Sequence, residues 1–125
     1  MPVLLMFDAA AQRLLQHFGA GQALLITAVN NYGLPGETLT VERYSLALAE
    51  RDPEVAHVAT FQGVPIYAHH RIAAYARWRP LRVTGHGLGR WGYLAVAHED
   101  QVWRELLRWE RMHPTQSGRA PSRAA

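Results

Sequence analysis

The sequence contains no cysteine. This absence excludes disulfide bonds, thiolate zinc sites, cysteine-ligated iron–sulfur clusters and a cysteine nucleophile. Signatures of other enzyme classes are missing as well: no glycine-rich loop is followed by Lys-Ser or Lys-Thr, and none of the three serines lies in a nucleophile elbow. The sequence alone therefore assigns no catalytic residue, no metal ligand and no cofactor.

Long hydrophobic runs are also missing. No apolar stretch approaches the roughly 20 residues that a membrane span needs, and the N-terminus lacks the basic flank and cleavage site of a signal peptide. We therefore expect a cytoplasmic protein without a membrane partner. The 125 residues, 49% of them hydrophobic, suffice for one domain, which we place at residues 1–113. The basic tail at 114–125 has little to bury and is predicted to be disordered.

Lysine is absent too, and all thirteen basic residues are arginine. Their distribution along the chain is uneven. Residues 1–54 carry three arginines and six carboxylates, whereas residues 55–98 carry five arginines, five histidines and no carboxylate. The middle of the chain therefore has charge of one sign, which suits an anionic partner. Ordinary solvated surface is the competing explanation.

Three segments have helical patterns. Asp8 can cap a helix over residues 8–18, whose apolar residues recur at helical spacing. A second helix is predicted for residues 38–51, which are rich in leucine, alanine and glutamate. A third is predicted for residues 98–112, which begin with acids and end with arginines, as the helix dipole favours. Its predicted buried stripe consists of Val102, Trp103, Leu106, Leu107 and Trp109.

Other segments have the patterns of strands. The apolar run at 23–29 is predicted to be a buried strand, and residues 55–61 are predicted to pair with the strand that follows Gln62-Gly63. From 64 to 78, apolar residues occupy the even positions, which predicts one long strand. The phase of the alternation flips after Pro80. Two further strands are then predicted, with the glycine-rich stretch 85–89 as the turn between them.

These elements predict an α+β fold, with an antiparallel sheet of about four to five strands and amphipathic helices packed on one face. A competing interpretation is a helix-turn-helix over residues 53–79 with a wing at 81–97, which would bind duplex DNA. In that fold His69 would have to occupy a buried apolar position, and Pro65-Ile66-Tyr67 favours extended backbone. These two points favour the strands.

The outward face of the predicted sheet is aromatic and basic, and it is our candidate ligand-binding site. Its members are Tyr67, His69, Arg71, Tyr75, Arg77, Arg79, Arg82, Thr84, His86, Trp91 and Tyr93. Aromatic rings can stack on bases while arginines neutralise phosphates, so we expect an anionic partner such as single-stranded nucleic acid. Two alternatives stay open, because the same residue types are enriched in homodimer interfaces and in ordinary exposed strands.

The histidines raise a further alternative, an enzyme. His69 and His86 could meet across strands of the predicted sheet and bind a transition metal or act as acid and base. His69 and His70 are neighbours on a strand, so they face opposite ways and cannot chelate one ion. We expect His70 to be a hydrogen-bonded residue of the core.

Overall fold

The computed structural model describes residues 4–30, 37–87 and 92–112, and within these ranges the chain forms seven strands and four helices. In chain order they are β1 (Leu5–Phe7), α1 (Ala9–Leu15), β2 (Gln22–Asn30), β3 (Glu37–Ser45), α2 (Leu46–Arg51), β4 (Val55–Phe61), β5 (Val64–His69), α3 (His70–Ala76), β6 (Leu81–His86), β7 (Tyr93–Val96) and α4 (Glu99–Met112). The predicted mixture of helices and strands is confirmed. No helix in these ranges is long and apolar enough to cross a membrane.

The strands form two sheets. One has four strands in the order β3-β2-β5-β4, and the other has three in the order β1-β6-β7. β2 runs parallel to β5 and β1 runs parallel to β6, whereas the other neighbours are antiparallel. The prediction of one antiparallel sheet is therefore wrong in two respects. The strands form two sheets, and two of the five strand pairings are parallel. Parallel neighbours need a long crossover connection, and β3, α2 and β4 together supply the one between β2 and β5.

One hydrophobic cluster joins the two sheets. Leu24, Ile26 and Ile66 of the four-stranded sheet are fully buried in it, as are Leu81 and Val83 of the three-stranded sheet. Three helices complete this core with Ala11, Leu15, Ile72, Ala73, Tyr75, Ala76, Val102 and Leu106. Because alternate residues of a strand point to opposite faces, the other positions of β6 and β7 are left toward the surface.

Helix α1 begins where the sequence predicts it. The carboxylate of Asp8 accepts a hydrogen bond from the backbone N–H of Ala11 at 2.7 Å and so caps the helix. The helix ends at Leu15, three residues short of the predicted boundary. It packs closely on β6 at Gly85, where a Cβ atom would overlap the backbone of α1. Gly85 and His86, two residues of the predicted turn at 85–89, therefore belong to β6. Residues 88–91 lie outside the described ranges.

The segment predicted as a second helix is mostly strand. β3 pairs with β2 along its whole length, and only Leu46–Arg51 is helical. The hydroxyl of Ser45 accepts a hydrogen bond from the N–H of Leu48 at 3.3 Å, which caps α2. Threonine, valine and tyrosine between positions 38 and 44 favour a pleated strand. Pairing with β2 therefore outweighs the helix propensity of the leucine and glutamates.

The long strand predicted from 64 to 78 ends at His69. The β4–β5 hairpin is confirmed, and Gln62 and Gly63 form its turn with positive φ angles of 52° and 80°. The chain then turns into α3, whose buried residues are Ile72, Ala73, Tyr75 and Ala76. The helical interpretation of residues 53–79 is wrong for its first part, since β4 and β5 occupy it.

Helix α4 is confirmed as the predicted third helix. Val102, Leu106 and Trp109 of the predicted stripe are buried, and Trp103 packs partly buried against the core. Leu107 was predicted to be buried and is 37% exposed, because it points away from the core side of the helix. The predicted tail at 114–125 lies outside the described residues.

Candidate ligand-binding face

The structure divides the predicted aromatic and basic face among four places. Tyr67 and His69 belong to the four-stranded sheet, and Arg71 and Tyr75 lie on α3. Arg77 and Arg79 follow α3. The three-stranded sheet carries Arg82, Thr84, His86 and Tyr93. Trp91 lies outside the described residues. The prediction of one shared face is therefore wrong, because the strand that would have carried it ends at His69.

On the four-stranded sheet, Tyr67 packs edge-on against His57, with the ring centroids 5.4 Å apart. Nδ1 of His69 accepts a hydrogen bond from the N–H of Arg71 at 3.1 Å, so this side chain caps α3. Nε2 of His69 lies 3.8 Å from the carboxylate of Glu54. Burial lowers the pKa of His69, although the Glu54 carboxylate opposes the shift. His69 is thus a structural residue of the α3 N-terminus.

Arg71 and Tyr75 connect α3 to α4. The guanidinium of Arg71 donates hydrogen bonds to both carboxylate oxygens of Glu110, at 2.8 and 2.9 Å. The hydroxyl of Tyr75, a residue only 2% exposed, donates to Glu105 at 2.8 Å. Burial, together with this hydrogen bond, raises the pKa of Tyr75 far above its ordinary value. The same bond lowers the pKa of Glu105. Neither Arg71 nor Tyr75 is available to an external ligand.

The turn after α3 exposes an aromatic ring between two arginines. Trp78 is 47% exposed, and the guanidinium of Arg79 lies 5.1 Å from its ring centroid. Arg79 also lies 3.9 Å from the carboxylate of Glu105, and Arg77 is exposed. Of these two arginines, Arg79 therefore has a carboxylate of α4 as an ion-pair partner.

Four predicted residues, Arg82, Thr84, His86 and Tyr93, remain together on the three-stranded sheet. Arg82 and His86 point outward from β6, and Tyr93 stands opposite His86 on β7. The rings of His86 and Tyr93 stack, with centroids 5.0 Å apart and planes at 19°. Tyr93 is 60% exposed, and Arg82 has no ion-pair partner among the described residues. We call this surface the open face; its members are Met6, Arg82, Thr84, His86 and Tyr93.

Sequence reasoning missed the apolar part of the open face. Met6, on β1, stands beside Arg82 in the sheet and is 48% exposed. The three residues of β1 are too few for a periodic pattern to identify a strand.

Hydrogen bonds of Thr84 and Asp8 fix side chains and backbone in and beside the open face. A hydrogen bond of 2.8 Å joins the hydroxyl of Thr84 to Nε2 of His86. The carboxylate of Asp8 accepts a bond from the N–H of Ala11 and a second, at 3.1 Å, from that of Gly85. These two bonds lower the pKa of Asp8, which keeps the carboxylate ionised. Its charge is therefore engaged in holding α1 against β6.

A hollow of about 300 Å³ lies beside the open face. Its lining consists of Met6, Phe7, Asp8, Arg82, Val83, Thr84, Ala97 and His98. Met6, Arg82 and Thr84 thus belong to both the open face and the hollow. The hollow extends the flat sheet surface into a concave one, next to the start of α4.

The predicted histidine pair does not form. His69 and His86 lie on different sheets, and no group of three metal-binding side chains occurs within residues 4–30, 37–87 and 92–112. Nε2 of His70 donates a hydrogen bond to the carbonyl oxygen of Pro53 at 2.8 Å, as expected for a satisfied histidine, although its ring is only partly buried.

No protein-family model matches this chain, and no curated protein is significantly similar to it.

Proposed function

We propose that this protein binds an anionic partner with exposed aromatic rings, such as single-stranded nucleic acid, on the open face. Two observations carry the proposal. His86 and Tyr93 form a stacked pair, and Arg82, four positions away on the same face of β6, has no ion-pair partner among the described residues. A base can stack on the outer side of the Tyr93 ring while Arg82 neutralises a phosphate.

The charge of the open face supports an anionic partner. Arg82 supplies a fixed positive charge, and the carboxylate of Asp8, which also borders this region, is held by two backbone N–H groups. The apolar surface of Met6 favours a partner that also offers hydrophobic contact, as bases do. A purely inorganic anion would leave this part of the face unused.

Fluorescence anisotropy with a labelled oligothymidylate tests the proposal, at low and at near-physiological salt. We expect Arg82→Glu to weaken binding at least tenfold and to reduce the salt dependence, because a phosphate contact is lost. We expect Tyr93→Ala to weaken binding by about 1–3 kcal/mol through lost stacking. Both residues are exposed, so both variants should keep the wild-type melting temperature.

Arg51→Glu is the matched control, because it makes the same charge change on an exposed residue of α2. It should leave the affinity within about twofold. Equal losses in Arg51→Glu and Arg82→Glu would mean that only net charge matters, and the open face would not be the site. Absence of binding by the wild-type protein at low salt would rule out nucleic acid as the partner.

A second copy of the chain is the other candidate partner. Leu4 and Met6 are 42% and 48% exposed, and β1 stands at an edge of its sheet, where another strand can add. Sedimentation equilibrium of the wild type and of Met6→Glu tests this interface. A dimer that becomes monomeric on the substitution would support self-association through β1.

A further inference from the structure

His98 has an unusual backbone conformation. Within residues 4–30, 37–87 and 92–112, only Gln62 and His98 have positive φ angles without being glycine. Gln62 lies in the turn of a tight hairpin, which requires that geometry. His98, with φ of 54°, lies between β7 and α4, and its carbonyl accepts the bond from Val102 that begins the helix. Glycine or asparagine would adopt this conformation with less strain.

His98 also lines the hollow beside the open face, together with Arg82 and Thr84. Arg82 and His98 thus border one concave space, and a guanidinium and an imidazole can both donate hydrogen bonds to phosphate oxygens. The Thr84 hydroxyl already donates to the carbonyl oxygen of Ala95. Arg82 and His98 are therefore the two groups of the hollow that could hold a phosphate group.

We propose that the hollow is a subsite for the terminal phosphate of a strand that lies on the open face. This inference rests on the proposed function and specifies which end of the ligand is recognised. A terminal monoester carries about 1.5 to 2 negative charges and three free oxygens, more than an internal diester offers. The concave space accepts a chain end, whereas the flat open face accommodates the bases.

Asp8 also lines the hollow and limits where the phosphate can sit. Its ionised carboxylate repels an anion, although two backbone N–H groups offset part of its charge. The phosphate is therefore expected at the opposite side, between Arg82 and His98. Asp8 would orient the ligand by excluding its anionic end from the α1 side.

The test uses three labelled tetrathymidylates, one with a 5′-phosphate, one with a 3′-phosphate and one with hydroxyls at both ends. We expect the wild type to bind one of the phosphorylated forms about tenfold more tightly than the hydroxyl form. His98→Asn keeps a residue suited to positive φ and should reduce this preference to threefold or less. Its affinity for the hydroxyl form should stay within twofold of wild type. His17→Asn, on an exposed residue beyond α1, should leave the preference intact.

The outcomes separate this inference from the proposed function. Equal binding of all three oligonucleotides by the wild type would overturn the phosphate subsite and leave the open face as the binding site. A preference that survives His98→Asn would overturn the role of His98. If none of the oligonucleotides binds, the proposed function is wrong, and a titration with inorganic phosphate followed by NMR then tests the phosphate subsite separately. Saturable shifts of the Thr84 and Ala97 amide signals at constant ionic strength would support the subsite, and their absence would overturn it.

Discussion

The guanidinium of Arg71 meets the carboxylate of Glu110 in a two-bond ion pair, with N–O distances of 2.8 and 2.9 Å. The side chains are 16% and 5% exposed, so the pair lies largely out of water. The Arg71 guanidinium also lies 5.0 Å from the ring centroid of Trp103. Arg71 was predicted to contact a ligand; it instead fixes α4 against α3.

Removing one partner of this pair should destabilise the protein strongly. We expect Glu110→Ala to lower the free energy of unfolding by about 1–3 kcal/mol, because both hydrogen bonds between the largely buried Arg71 guanidinium and this carboxylate are lost. Urea denaturation followed by tryptophan fluorescence measures this change.

Two further variants give the comparison for that experiment. Glu50→Ala, on an exposed residue of α2, should change stability by less than about 0.5 kcal/mol. The double variant Arg71→Met with Glu110→Leu should regain most of the lost stability, since apolar residues of similar size can replace a buried ion pair. A double variant as unstable as Glu110→Ala would show that the charges themselves are required.

The cap formed by His69 should make stability depend on pH. Nδ1 accepts the N–H of Arg71 only while it is unprotonated, and burial lowers the pKa of His69 in the folded state below the unfolded value of 6.5. The unfolded chain therefore binds the proton first. Stability is complete above pH 6.5 and falls as the pH decreases toward the folded pKa, by up to about 1 kcal/mol for the loss of a cap.

His69→Asn isolates this contribution, because asparagine is a good N-cap at any pH in this range. Its stability relative to wild type should increase between pH 7.5 and pH 5 in urea melts. The charged and titratable neighbours of His69, which are Asp52, Glu54, His70 and Arg71, are unchanged in the variant. His57→Asn, on the same sheet, should keep the wild-type pH dependence; a parallel change in both variants would exclude the cap as its cause.

Gly85 should tolerate no side chain. A Cβ atom there would overlap the backbone of Ala10 and Ala11, so Gly85→Ala must push α1 away from β6. We expect a loss of about 1–3 kcal/mol or more, measured as a lower urea midpoint. In Gly19→Ala the new Cβ would meet only the Gln22 side chain at 3.6 Å, an ordinary contact. Similar stabilities of these two variants would contradict the close packing of α1 on β6.

The sequence predicted elements whose signals are local. The cap at Asp8, the turn at Gln62-Gly63 and the charge pattern of α4 each involve residues close together in the chain, and each is present. The parallel pairing of β1 with β6 left no such signal. It joins residues far apart in the chain, and periodicity describes only neighbours.

The largest error is the assignment of α3 to a strand, and the alanines of this segment explain it. In α3, Ala73, Ala74 and Ala76 fit the alternation of a strand and the stripe of a helix equally well. The capping bond from the Arg71 N–H to His69 and the contacts of Tyr75 with α4 favour the helix. Contacts with a distant helix cannot be deduced from the local pattern, so four predicted site residues, Arg71, Tyr75, Arg77 and Arg79, were assigned to the wrong element.

The pairing of Leu5 with Leu81 also determines when the open face can form during folding. The β4–β5 hairpin needs only neighbouring residues, whereas β1 must wait for β6, which lies more than seventy positions later in the chain. Closing so long a loop is entropically costly and slow compared with hairpin formation. During synthesis, β1 therefore stays without its partner until β6 has emerged, and the surface that carries Arg82, His86 and Tyr93 is among the last parts of the protein to assemble.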